Sequence, residues 1–197
     1  MVQRAFRKLG LFMTRIFVFL ASVESLALVA ATVGGILFKL GEAGQPGNES
    51  RYLFHFTLGL FTVFGSLFVH CLIFIYFLGT GRWVKEVTLA YQLPDEPWHK
   101  TTRELKRRTF PPALVGMLVA IAAAAAGQGV RLLGWPWPVH AGLAAATLLV
   151  NGWAFLVEFR NVSRNGRILD QVLAEADRIR VARGLPTNAE ALEREGR

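Results

Sequence analysis

Long apolar runs separated by short polar punctuation dominate this chain. The first covers about residues 11–40, the second 52–78, the third 112–133 and the fourth 139–159. Each reaches or exceeds the ~20 residues that a helix needs to cross about 30 Å of hydrocarbon. In lipid a backbone must satisfy its polar groups within its own segment, so the runs predict helices. The expected fold class is an all-α integral membrane protein. It has a four-transmembrane-helix bundle and a cytoplasmic amphipathic C-terminal helix. Arg4, Arg7 and Lys8 precede the first run, as basic residues do in a secretory leader. Apolar sequence continues past Ala30-Ala31 to Phe38, so it is read as an uncleaved span.

This reading divides the chain into a cytoplasmic arm (1–10), a transmembrane domain (11–160) and a cytoplasmic helical tail (161–197). The loop 79–111 is expected to have structure of its own. The second helix should continue from Trp83 to Leu93, until Pro94 and Pro97 break it. Thr101 and Glu104 have the spacing of a capping box, which predicts a short basic helix over 102–109. Pro111-Pro112 would then open the third span. In the tail, Ile168, Leu169, Val172, Leu173, Ala176 and Ile179 recur at helical spacing. The fourth helix should therefore run on to about Arg183, with Gly184 and Pro186 stopping it. Its apolar face needs cover from the loop, the headgroup region or a partner chain.

Charge fixes an orientation. Nineteen of the 22 Lys and Arg residues fall in the N-terminal segment, the 79–111 loop and the tail. Lys39, Arg51 and Arg131 fall on the other side. The positive-inside rule places both termini and the loop in the cytoplasm of a plasma (inner) membrane. The net charge of +8 is then explained by topology and headgroup contact, with no nucleic acid partner. Composition agrees with a lipid environment: 53% of residues are hydrophobic and 18% charged. Soluble chains carry about 25% charged residues. Cys71 is the single cysteine, so no intrachain disulfide is available. No Ser-His-Asp set, zinc motif or phosphate loop is present, and an enzyme is not the expected reading.

Gly116, Ala120, Ala123 and Gly127 put small residues four apart on the third span, a device for close helix approach. The second span is lined with Phe and Leu and should face lipid in part.

Polar residues inside the spans are the candidates for function, because each is costly there. Glu24, His70 and Asn151 each lie nine residues from an inner-face marker (Arg15, Gly79 and Arg160). Nine residues of helix rise ~13 Å, so three polar groups on three helices share one level in the inner half of the bilayer. They suggest a proton relay, or a haem b or quinone site using His70 as ligand or hydrogen-bond partner. The plainer alternative is an interhelical hydrogen bond that fixes register. A second cluster sits toward the outer face: His55, His140, Gln128 and Arg131. Its two histidines are further candidate haem ligands, against simple hydration at the interface. No protein-held metal ion is expected otherwise. The leading functional expectation is a non-enzymatic membrane subunit or scaffold. It would bind a protein partner, or a second copy of itself, through the tail helix over 165–183. The alternative is a redox or proton-handling subunit built on Glu24, His70 and Asn151.

Overall fold

The computed structural model describes residues 2–41 and 48–195, with side chains at 12–41 and 49–194. The loop over 42–47 lies outside the described residues. The helices are α1 (Val2–Leu40), α2 (Asn48–Ala90), α3 (His99–Leu132), α4 (Trp137–Ala182) and α5 (Asn188–Glu195). Among the described residues no strand occurs. The first four helices are each long and apolar enough to cross a membrane.

The chain forms two compact units. The apolar unit comprises 18–73 and 110–157, a segment from each of α1 to α4. Its core combines many alanines (Ala21 and Ala31 of α1, Ala113, Ala120, Ala123 and Ala126 of α3, and Ala154 of α4) with larger side chains such as Val69, Ile73 and Phe155. The small-residue face of α3 therefore points inward, as its spacing predicts. Large side chains point outward, among them Phe19 (67% exposed), Leu26 (71%), Phe61 (70%) and Leu149 (76%). Phe54, Phe64 and Phe68 of α2 are also exposed, so the bulky face of the second helix is an outer face.

The terminal unit comprises 1–17, 74–109 and 158–197. Its core holds Phe77, Val84, Leu105, Val162 and Val172. Ile168, Val172, Leu173 and Ala176 of the tail are buried here, so the chain itself covers the amphipathic face. Asn165 Nδ2 donates to Tyr76 Oη (3.2 Å) and Thr80 Oγ1 (3.0 Å). Asn161 Nδ2 donates to Thr109 Oγ1 at 2.9 Å.

Two boundaries correct the sequence reading. The second helix ends at Ala90, short of the expected Leu93. Gln92 adopts φ 54°, Leu93 N–H donates to Thr88 O, and Gln92 N–H donates to Leu89 O. Those two bonds are the paired bonds of a Schellman cap, and they close the helix before the prolines are reached. The third helix starts at His99 and runs unbroken through Pro111-Pro112 to Leu132. No separate basic helix exists, and Thr101 lies in the first turn rather than at a cap. The helix nucleates earlier because Lys100 N–H donates to Asp95 O and Thr102 N–H to Trp98 O. The prolines remove two donors, but their fixed φ suits the helix and the flanking bonds carry it on. The end of α4 follows expectation. Gly184 at φ 72° receives the chain, with Leu185 N–H on Arg180 O and Gly184 N–H on Val181 O.

Candidate functional site: a buried polar cluster in the apolar unit

The centre of the site is the side-chain amide of Asn151 on α4. Its Oδ1 accepts from Ser66 Oγ at 2.7 Å and from His70 Nε2 at 3.0 Å, both on α2. Its Nδ2 donates to Thr147 O at 2.9 Å and to Gly116 O of α3 at 3.4 Å. An amide oxygen can only accept, so His70 carries a proton on Nε2. One asparagine thus ties three helices together with every polar valence directed. Ser66, His70 and Asn151 are all 0% exposed. The His70 ring also stacks on Phe155 of α4, with centroids 5.2 Å apart.

Two glycines shape the space. A Cβ at Gly116 would lie 2.7 Å from His70 Nε2 and 3.2 Å from Asn151 Oδ1. Only a glycine lets the α3 backbone approach this hydrogen-bonded pair so closely. On the other side, a Cβ at Gly65 of α2 would collide with Glu24 Oε2. Glu24 of α1 is 5% exposed, and its Oε1 is buried without a hydrogen-bond partner. His70 lies within electrostatic range of its carboxyl group. The structure therefore brings His70 and Asn151 into direct contact, with Glu24 beside them and joined to the cluster through space.

The second histidine cluster also lies in the apolar unit. His55 Nδ1 bonds Ala31 O and His140 Nδ1 bonds Ala123 O, each at 2.9 Å. Carbonyl acceptors fix Nδ1 as the protonated nitrogen in both rings, which leaves Nε2 as the acceptor of a neutral ring. The ring centroids are 5.9 Å apart, edge to face. Gly35 and Gly127 make room for the two rings. Arg131 stacks its guanidinium on Tyr52 at 3.9 Å and Lys39 lies over Trp137 at 5.7 Å. Gln128 is half-buried on α3 and hydrogen-bonds to neither histidine.

Sequence reasoning missed Ser66, whose signal was its position one helical turn from His70, on the same face. It also missed Glu158 and Asn165, both 0% exposed. They stand beside the basic residues at the end of the fourth apolar run, where polar side chains are ordinarily solvated. Cys71 is exposed and takes no part. Among the described residues, no group of three or more His, Cys, Asp or Glu is placed to hold a metal ion.

Fold and site together define a class: an all-helical protein whose four long apolar helices enclose a sealed His–Asn–Ser cluster with an adjacent carboxyl group. No family model, curated protein or solved structure matches the chain.

Proposed function

We propose that the chain is a polytopic protein of the plasma (inner) membrane, with both termini cytoplasmic, serving as a non-enzymatic membrane subunit or scaffold. The outward surface of the apolar unit carries this reading. Between 28% and 33% of each helix's most apolar window is buried within the chain. In water, each large apolar side chain left exposed forgoes about 1.5–3 kcal/mol of burial. A bilayer removes that deficit. The helices α2 and α4 are 43 and 46 residues long, about twice the ~20 needed for a crossing. Their surplus residues coincide with the basic loop and tail, on the cytoplasmic side by the positive-inside rule. The tail's inward face is covered, so a partner would meet its outer side, where Arg164 and Arg167 are exposed. Such a face suits an acidic protein surface.

Single-cysteine labelling on a Cys71→Ser background tests the topology. Cysteines at Lys106 and Gly184 are expected to react from one side and a cysteine at Glu49 from the other. Lys106 and Gly184 reacting from opposite sides, or a chain that stays folded without detergent, would overturn the membrane reading. Co-purification of a stoichiometric partner, lost in Arg164→Glu/Arg167→Glu, tests the scaffold.

A second reading, proton handling, is favoured by one observation: the partnerless buried oxygen of Glu24 beside His70. A haem or quinone at His70 is less well accommodated, because Nε2 is held by Asn151 and the ring face by Phe155. Proton flux into liposomes that falls in both Glu24→Gln and His70→Ala would move this reading ahead. A Soret band in detergent, lost in His70→Ala, would restore haem.

A further inference from the structure

The contacts of the apolar unit repeat in pairs. Lys39 of α1 lies over Trp137 of α4, and Arg131 of α3 lies over Tyr52 of α2. His55 of α2 bonds Ala31 O over Gly35 of α1, and His140 of α4 bonds Ala123 O over Gly127 of α3. One rule relates the members. Residues of α1 map onto α3 by adding 92, and residues of α2 map onto α4 by adding 85. Thus Lys39 becomes Arg131, Tyr52 becomes Trp137, Ala31 becomes Ala123 and Gly35 becomes Gly127.

The same rule explains which residues meet across α2 and α4. His55 touches His140, Ser66 bonds Asn151 and His70 stacks on Phe155, and each is the other's equivalent. In the terminal unit Thr80 bonds Asn165, again equivalents, and Gly81-Arg82 corresponds to Gly166-Arg167. Off-axis contacts that occur twice, with axial residues touching their own equivalents, are the signature of an isologous two-fold interface. The apolar unit has matching bounds: 18 and 73 map onto 110 and 158, where the chain's unit includes 110–157.

We infer that the chain is an internal duplication, and that in the apolar unit its two helical hairpins (from α1–α2 and α3–α4) pack as a fused pseudo-homodimer about a two-fold along the helices. The surface that each hairpin presents is built for a second copy of the same hairpin. The polar cluster arises where the copies have diverged. Glu24 is equivalent to Gly116, Gly65 to Val150, Ser66 to Asn151 and His70 to Phe155. At the outer end the histidines and their glycines are the same in both copies. The site is thus an asymmetric elaboration of a symmetric interface, and its chemistry is read from one hairpin into the other.

A mirror exchange in the full chain tests this. The eight-residue variant Glu24→Gly, Gly65→Val, Ser66→Asn, His70→Phe, Gly116→Glu, Val150→Gly, Asn151→Ser, Phe155→His moves the cluster to the opposite hairpin. It is expected to fold, with a Tm within about 5 °C of the parent, a shift of order 1 kcal/mol. The half exchange, confined to positions 66, 70, 151 and 155, sets the new residues against the old α1 and α3. It is expected to fall at least about 10 °C below the full exchange. A full exchange that fails to fold, or is no better than the half exchange, would overturn the proposal. A second variant needs no core change: a full-length permutant beginning at Leu93 and ending at Gln92, the old ends joined by a short Gly/Ser linker. Two-fold equivalence predicts the size and Tm of the parent, and a misfolded permutant counts against it.

Discussion

Asn151 Oδ1 accepts a hydrogen bond from His70 Nε2–H, 3.0 Å between the heavy atoms, while its own amide nitrogen donates to the backbone of α3 and α4. The relationship gives one neutral side chain control of an imidazole's orientation and tautomer in a space closed to solvent. It also makes Asn151 the residue whose loss strands the most partners.

Asn151→Ala leaves the Ser66 hydroxyl and the His70 N–H buried without their acceptor. The expected cost is about 2–4 kcal/mol, from the penalty of one to two unsatisfied buried groups. Ser66→Ala removes one donor and leaves Asn151 Oδ1 bonded to His70, so about 1 kcal/mol is expected. Thermal unfolding in mild detergent gives the order. A Ser66→Ala loss equal to or above the Asn151→Ala loss would contradict the central role of the amide.

Gly116→Ala drives a methyl group into the His70–Asn151 pair, with contacts of 2.7 and 3.2 Å. The expected loss is about 1–3 kcal/mol, typical of overpacking. Gly152, next to Asn151 on α4, has nothing within 4 Å of its Cβ position. Gly152→Ala should therefore be neutral or gain up to about 1 kcal/mol of helix propensity. Opposite signs in the same melting assay are the expected result.

Gln92 holds a left-handed conformation, φ 54°, at a helix cap where glycine pays no Cβ penalty. Gln92→Gly is expected to raise stability by roughly 0.5–1 kcal/mol. Gly184→Ala, at φ 72°, should lower it by a similar or larger amount. Equal and unchanged melting for both would show that neither cap limits stability.

Thr187 and Glu190 form a capping box at the start of α5. Thr187 N–H donates to Glu190 Oε2 at 2.8 Å, and Glu190 N–H donates to Thr187 Oγ1 at 3.3 Å. The Thr187 N–H bond holds the Glu190 carboxyl below its ordinary range. A group depressed in the folded state stabilises above its unfolded value and loses that contribution as pH falls through the folded one. Protection of the 188–194 amides, measured relative to their intrinsic exchange rates, is therefore expected to fall at acid pH, and to depend less on pH in Glu190→Gln.

Glu24→Gln keeps shape and removes the ionisable group. A carboxyl that serves only as packing should tolerate it, with melting unchanged or slightly raised because no charge is held in an apolar interior. A stable variant that loses proton flux separates a functional carboxyl from a structural one.

The alternation of apolar and polar stretches was enough to write down four long helices and a helical continuation of the fourth. Those features follow from periodicity and length, which are local. Helical rise also suggested that Glu24, His70 and Asn151 lie near one another, and the structure brings His70 and Asn151 into contact with Glu24 beside them. Helix bounds near Gln92 and Pro111-Pro112 were not legible, since caps and prolines compete with flanking hydrogen bonds that depend on the fold. The duplication was hidden because Lys39 and Tyr52 are seven positions further apart than their equivalents Arg131 and Trp137, which shifts the offset from 92 to 85. A search at one fixed period passes over it. What the sequence alone determined was which segments are helical and which faces are small or bulky, because these depend on each residue's own volume, polarity and position in the turn. Only the tertiary structure decided that Ser66 and His70 meet Asn151, and that His55 meets His140. Contacts between distant segments depend on how close two backbones can come, and here glycines at 35, 65, 116 and 127 set that approach.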